Sequence, residues 1–279
     1  MESFKILVLS GGGIKGLLQI GALEELENEI GLIHKHFTKG IYGCSVGSLI
    51  AISLGFGLNI QQIKKISNNL SNFNNVIDLE KMSSISSILT KKGIFTMDKF
   101  EKVLIDSFKS VGLNIKDKRL CDAYVPLFIN ASNLSKGTPT LFTGNVPVLQ
   151  ALKASCCIPF IFQPQIINDN IYVDGGFITN ILMSLVPKED RDLCLGITII
   201  HTKEKIKANK IEKLSPLDFL YRLYKISCLY EHSKNPYKNN INLFYDKGTG
   251  ISEFNDKEKE EMILVGKTLC RSFLTQCTN

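Results

Sequence analysis

The chain has no C-x-x-C pair, and its four histidines stand at no zinc-ligand spacing to its eight cysteines. No metal site and no redox dithiol is therefore expected, and no cofactor is implied. Cys44, Cys121, Cys156, Cys157, Cys194, Cys228, Cys270 and Cys277 are scattered, several in apolar runs where a free thiol behaves as a small hydrophobe. That usage predicts a reducing, cytoplasmic compartment. The apolar part of the N-terminus, Ile6 to Leu9, is too short for a signal peptide. Residues 40–63 carry no charge, a length that could span a bilayer. Gly40, Gly43, Gly47, Gly55 and Gly57, with interspersed Ser, Asn and Gln, instead predict strand, turn and buried helix there.

Charge of one sign is not in large excess either. Lys and Arg number 33 against 27 Asp and Glu, a net +6, which serves solubility and is compatible with docking to an anionic membrane surface. The lysines between 203 and 213 lack interleaved aromatics and read as a solvated linker, so no nucleic-acid partner is expected. There is no internal repeat and no clear domain boundary. With 279 residues, 44% apolar and 22% charged, the chain can build a core that needs no disulfide or metal. The expectation is one domain over 1–279, with a motif-bearing core at about 4–180 and a helical C-terminal cover at about 201–279.

Phe4 to Leu9 is an apolar run ending at a glycine cluster, the pattern of a buried strand entering a tight turn. Gly16 to Ile30 follows at helical spacing. Ile41-Tyr42 then precedes a second glycine turn and an apolar helix from about Val46 to Phe56. Two strand–turn–helix units within sixty residues predict an α/β fold: a three-layer α/β/α sandwich around a mostly parallel sheet. Residues 59–113 read as helical, with a surface loop near 67–75 and a second helix capped by Thr96. Further strands are expected at 124–131, 138–143, 171–173, 193–200 and 241–245. Helices are expected to open at Ser215-Pro216 and near Asp256.

Three motifs carry chemistry. Gly43-Cys44-Ser45-Val46-Gly47 is a G-x-S-x-G between strand and helix, the setting of a nucleophile elbow, with Gly43 and Gly47 clearing the bend. At average glycine usage such a match arises about 0.1 times by chance in a chain this long. Ser10-Gly11-Gly12-Gly13-Ile14-Lys15-Gly16 is a second glycine turn whose bare amides suit an oxyanion. It also fits the dinucleotide pattern G-x-G-x-x-G, but the next strand ends in the serine elbow instead of the acidic residue that would hold a ribose. A Walker A loop fails because Lys and Ser/Thr do not follow the last glycine. Tyr172-Val173-Asp174-Gly175-Gly176 brings an aspartate to a strand end before two glycines. In a partly dry site, hydrogen-bonded to a serine, a carboxylate becomes a competent base.

These motifs, in this order, resemble the patatin-like phospholipase family. Ala154-Ser155, Ile158-Pro159-Phe160, Gln163-Pro164 and Asn180 add to the likeness, which covers about Phe4 to Asn180. The resemblance implies a Ser–Asp dyad without histidine: Ser45 as nucleophile, Asp174 as base, and the amides of Gly11, Gly12 and Gly13 as oxyanion hole. Gly16, Gly175 and Gly176 would support the turns. It implies hydrolysis of phospholipid or other acyl-ester lipids with no metal. Lys15 stands where the family has Lys or Arg; its expected role is solvating the helix start, with organising the glycine loop as the alternative. Cys156-Cys157 replaces the family's usual small residues, which implies tight packing. Two rivals remain at this stage: an α/β-hydrolase triad using His201, and a non-catalytic lipid-binding module.

Overall fold

Strand β1 (Ile6–Leu9) is buried along its whole length. Leu7 and Leu9 enter one core, while Ile6 and Val8 enter a second on the opposite face. A strand covered on both sides needs apolar residues at every position, which is why the run does not alternate. The computed structural model describes residues 1, 3–71, 90–200, 219, 222, 223, 226, 228, 230 and 237–278.

Among these residues β1 lies inside an eight-stranded sheet. It pairs in parallel with β2 (Gly40–Cys44) and with β9 (Cys194–Ile200). β10 (Asn240–Phe244) extends the sheet beyond β9, and β4 (Leu127–Asn133) extends it beyond β2, both in parallel. On the far side of β4 the sheet turns antiparallel. β5 (Thr138–Phe142) pairs with β4, β8 (Asn170–Asp174) pairs with β4 in turn, and β7 (Gln165–Ile167) closes the edge on β8. Helices cover one face and a short 3-10 turn, Leu182–Leu185, packs the other. A mostly parallel central sheet with helices packed on it is the expected α/β fold.

Helix α1 (Gly16–Ile30) runs against the C-terminal helix, here α7 (Asp256–Thr278), at near backbone contact. A Cβ added at Gly21 would lie 2.0 Å from the Ile263 carbonyl, and one at Gly266 would lie 2.0 Å from the Leu18 carbonyl. After the short α2 (Ile33–His36) and β2 come α3 (Val46–Gly55) and α4 (Ile60–Leu70). Asn59 caps α4 reciprocally with Gln62, a capping box. The uncharged stretch 40–63 is thus a strand, a buried helix and the start of another. Among the described residues no helix is long and apolar enough to cross a membrane.

The expected helical run to residue 113 is interrupted. Gly93–Phe95 is a strand, β3, paired with β6 (Phe160–Phe162) in a separate two-stranded sheet. The following helix α5 (Asp98–Lys109) has Met97 at its cap position, because the Thr96 hydroxyl is turned to the Asp98 carboxylate instead. Residues expected as loop up to Leu70 belong to the last turn of α4, and 72–75 lie outside the described residues, as do the 203–213 linker and Ser215-Pro216. Helix α6 (Val148–Ser155) was not anticipated.

Candidate active site

Ser45 sits where β2 gives way to α3. Its φ of 52° lies in the left-handed region, a strained setting for a residue with a side chain and the conformation an elbow needs. The bend is that tight because the backbones touch: a Cβ at Gly43 would lie 2.6 Å from the Gly47 carbonyl, and one at Gly47 would lie 2.6 Å from the Leu9 and Ser10 carbonyls. The Ser45 amide donates to Ser155 Oγ at 2.9 Å, and the Ser45 carbonyl accepts from Ser48 Oγ at 2.5 Å. The strained residue is therefore held on both sides.

Asp174 ends β8 and is fully buried. Its Oδ2 accepts the Ser45 hydroxyl at 2.6 Å, and its Oδ1 accepts the Gly176 amide at 2.9 Å. Its own amide donates to the Cys157 carbonyl at 2.7 Å. Gly175 lies so close to β4 that a Cβ there would meet the Asn130 carbonyl at 2.5 Å. The register Ala131↔Asp174 brings the carboxylate to the same end of the sheet as Ser45.

The N-terminal glycine loop passes directly over the serine, with an ideal Cβ at Gly11 only 3.0 Å from Ser45 Cβ. Its three glycines are not equivalent. The Gly11 amide donates to Asn180 Oδ1 at 2.9 Å, so the expectation that it faces an oxyanion is corrected: its hydrogen is already engaged. Among the described residues the Gly12 and Gly13 amides donate to no protein group. Gly13 has φ +59°, and the Gly250 carbonyl occupies the place of its missing Cβ. That carbonyl also accepts the Ile14 amide at 2.8 Å. Gly16 packs on Val46, the first residue of α3.

Lys15 corrects a second expectation. It does not solvate a helix start; it is 1% exposed, and its Nζ donates to the Tyr245 carbonyl at 2.6 Å. The glycine loop is thus fastened to the C-terminal part of the chain. His201, the candidate for a triad, lies outside the described residues.

The thiols around the site are kept inert. Burial first, and the Asp174 charge second, push Cys44 and Cys156 well up and Cys157 up to about 12. A protonated thiol is a poor nucleophile, which leaves the Ser45 hydroxyl as the group poised to attack. Beside Ser45 opens a cavity of about 130 Å³ with apolar walls that include Leu17, Leu49, Leu70, Phe100, Phe162 and Ile251. A hydroxyl on a base, unengaged amides in the glycine loop that crosses it and an apolar slot alongside suit attack on the carbonyl of a long-chain ester.

Comparison with known proteins agrees. Residues 7–186 match the family model described as patatin-like phospholipase. The chain is 26% identical over 295 residues to YqhO of Bacillus subtilis (strain 168), covering 97% of this chain and 98% of that one. It is 27% identical over 233 residues to the probable lipid hydrolase of Invertebrate iridescent virus 6, covering 78% and 77%. In fold it is similar to VipD from Legionella pneumophila, with a TM-score of 0.62 at 15% identity over 98% of this chain and 67% of that one.

Proposed function

Because the chain belongs to the patatin-like phospholipase family and is a lipid acyl hydrolase, we propose that it cleaves acyl esters of phospholipids with Ser45 as nucleophile and Asp174 as base. The contact that carries this reading is the 2.6 Å hydrogen bond from Ser45 Oγ to Asp174 Oδ2.

Ser45 Oγ attacks the ester carbonyl while its proton passes to Asp174 Oδ2. The carbonyl oxygen becomes an oxyanion beneath the Gly12 and Gly13 amides, and the N-terminus of α3 adds positive potential. When the tetrahedral centre collapses, the ester C–O bond breaks and Asp174 returns the proton to the departing alkoxide. Water, deprotonated by Asp174, then attacks the acyl-serine; its collapse releases the fatty acid and regenerates the Ser45 hydroxyl. Gly176 holds the other carboxylate oxygen, so Oδ2 stays aimed at the hydroxyl in both halves.

Direct contact between hydroxyl and carboxylate supports a dyad over a triad, since a triad histidine would stand between them. The same reading takes 1–279 as one domain, supported by the packing of α7 on α1 and by the Gly250 contact on the glycine loop. It takes the setting to be a reducing cytoplasm at a membrane surface, supported by cysteines that are all free.

The test is product mass spectrometry on a lipid panel, run with Ser45→Ala and Asp174→Asn. Each variant should remain folded and lose turnover by about 10⁴-fold or more. A fluorophosphonate probe should label Ser45 in the parent protein. Esterase activity retained in Ser45→Ala would sink the assignment.

A further inference from the structure

The segment that delivers Asp174 does a second thing six residues later. Asn180 is 3% exposed and grips Gly11 across 169 residues: its Oδ1 accepts the Gly11 amide at 2.9 Å, and its Nδ2 donates to the Gly11 carbonyl at 3.3 Å. A side chain that donates and accepts at once can hold both peptide groups flanking one glycine, and the carboxamide, with its donor and its acceptor on two separate terminal atoms, does so here. The Gly11 carbonyl is also met by Ser10 Oγ at 3.2 Å, and Ser10 Oγ in turn accepts the Ile199 amide at 2.8 Å.

We propose that Asn180 is the positioning residue of the oxyanion hole: by fixing both peptide groups around Gly11, it sets the direction of the Gly12 and Gly13 amides over Ser45. This rests on the acyl-hydrolase reading above and deepens it. Three observations support it. The loop lacks side chains from 11 to 13, so nothing within it resists rotation of its peptide planes. Gly11 is the loop residue stacked on Ser45 Cβ, so a tilt there moves the amides relative to the nucleophile. Asn180 itself is fixed from behind, because the neighbouring Thr179 carbonyl accepts Asn130 Nδ2 at 2.9 Å and the Thr179 amide donates to the Gly175 carbonyl. Base and oxyanion amides are therefore set from one return segment, 174–180, and keep a common frame.

The experiment compares the parent protein with Asn180→Asp and Asn180→Leu on a soluble ester. Asp keeps the acceptor for the Gly11 amide but turns a negative oxygen toward the Gly11 carbonyl; Leu keeps the volume and loses both bonds. Each should lower kcat by about 10- to 100-fold, as small misplacements of catalytic groups do, with KM within about threefold. A trifluoromethyl ketone, which binds as a hemiketal oxyanion, should lose affinity by the same factor as kcat/KM. Should Asn180→Leu fail to fold, the isosteric Asn180→Asp gives the answer alone. A kcat within twofold of the parent, or a kcat loss with ketone affinity unchanged, overturns the proposal. A parent protein that neither hydrolyses ester nor takes the probe at Ser45 overturns the acyl-hydrolase reading itself, and this proposal with it.

Discussion

Lys15 Nζ and the Tyr245 carbonyl meet at 2.6 Å although 230 residues separate them. The ammonium is buried and also stands 5.9 Å from the centre of the Tyr245 ring. An ion withdrawn from water survives only if its new partners replace the hydration it lost. The bond thus ties the glycine loop to the strand end at β10, and with it to α7. Replacing Lys15 by Met keeps the length of the side chain and leaves a buried carbonyl without its donor, a loss of about 1–3 kcal/mol. Urea denaturation should show that loss in the midpoint at an unchanged slope. Turnover should fall too, because the loop amides lose one of their anchors. An unchanged midpoint would mean that the ammonium recovers nothing beyond its own desolvation.

The packing of α1 on α7 is set by the glycines that face it. Gly266→Ala would drive a methyl to 2.0 Å from the Leu18 carbonyl, backbone that cannot step aside without shifting a helix. Overpacking of this kind costs about 1–3 kcal/mol. Gly137→Ala is the contrast: φ is +67° but no atom lies within 4 Å of the added methyl, so only the backbone penalty of about 1 kcal/mol applies. Thermal melts should rank Gly266→Ala below Gly137→Ala. The reverse order would contradict the closeness of the two helices.

Thiol chemistry gives a prediction that can be read by pH. Cys121 and Cys277 are exposed, whereas Cys44, Cys157, Cys194 and Cys270 are buried. Burial, the largest cause in each case, pushes Cys157, Cys194 and Cys270 up to about 12. Iodoacetamide at pH 8 should therefore modify Cys121 and Cys277 first, as peptide mass spectrometry would show. The sign of the linked stability follows. Between about 8.5, the ordinary thiol value, and 12 the unfolded chain gives up protons that the folded chain keeps, so stability falls as pH rises through that window. Urea midpoints at pH 8, 9 and 10 should decline in order. Rapid alkylation of Cys157 at pH 8 would refute its burial.

How far the sequence foretold this site depends on the span over which each part is encoded. Ser45 and Asp174 were legible because each sits in a five-residue motif whose glycines are demanded locally, by the elbow and by the turn after β8. The central strands were legible because burial on both faces leaves an unbroken apolar run. β3, β6 and β7 were not, since three residues carry no measurable period and their pairing is set by distant partners. The same reason hid the roles of Ser155, Asn180 and the Gly250 carbonyl. Ser155 and Asn180 added to the family likeness, but nothing local shows that one accepts the Ser45 amide and the other grips Gly11. A signal lay in Lys15: a cation amid glycines just ahead of an apolar helix is badly placed for solvation, and its burial could have been suspected from that alone.

The cavity beside Ser45 makes a claim about chain length that one substitution can check. Ile251 lies on its wall, half-buried, in the stretch after β10 and outside the residues matched by the family model. On the reading proposed here an acyl chain fills that space, and each methylene it buries contributes about 0.8 kcal/mol. Ile251→Trp puts an indole in the path while leaving Ser45, Asp174 and the loop amides untouched. Hydrolysis of a p-nitrophenyl acetate should stay close to the parent rate, because its acyl group needs no slot. Hydrolysis of the decanoate should fall by about tenfold or more in kcat/KM, the loss expected when two or more methylenes are displaced into water. Equal losses on both esters would show that the indole had disturbed the catalytic groups. No loss on either would show that the chain leaves the serine by another route.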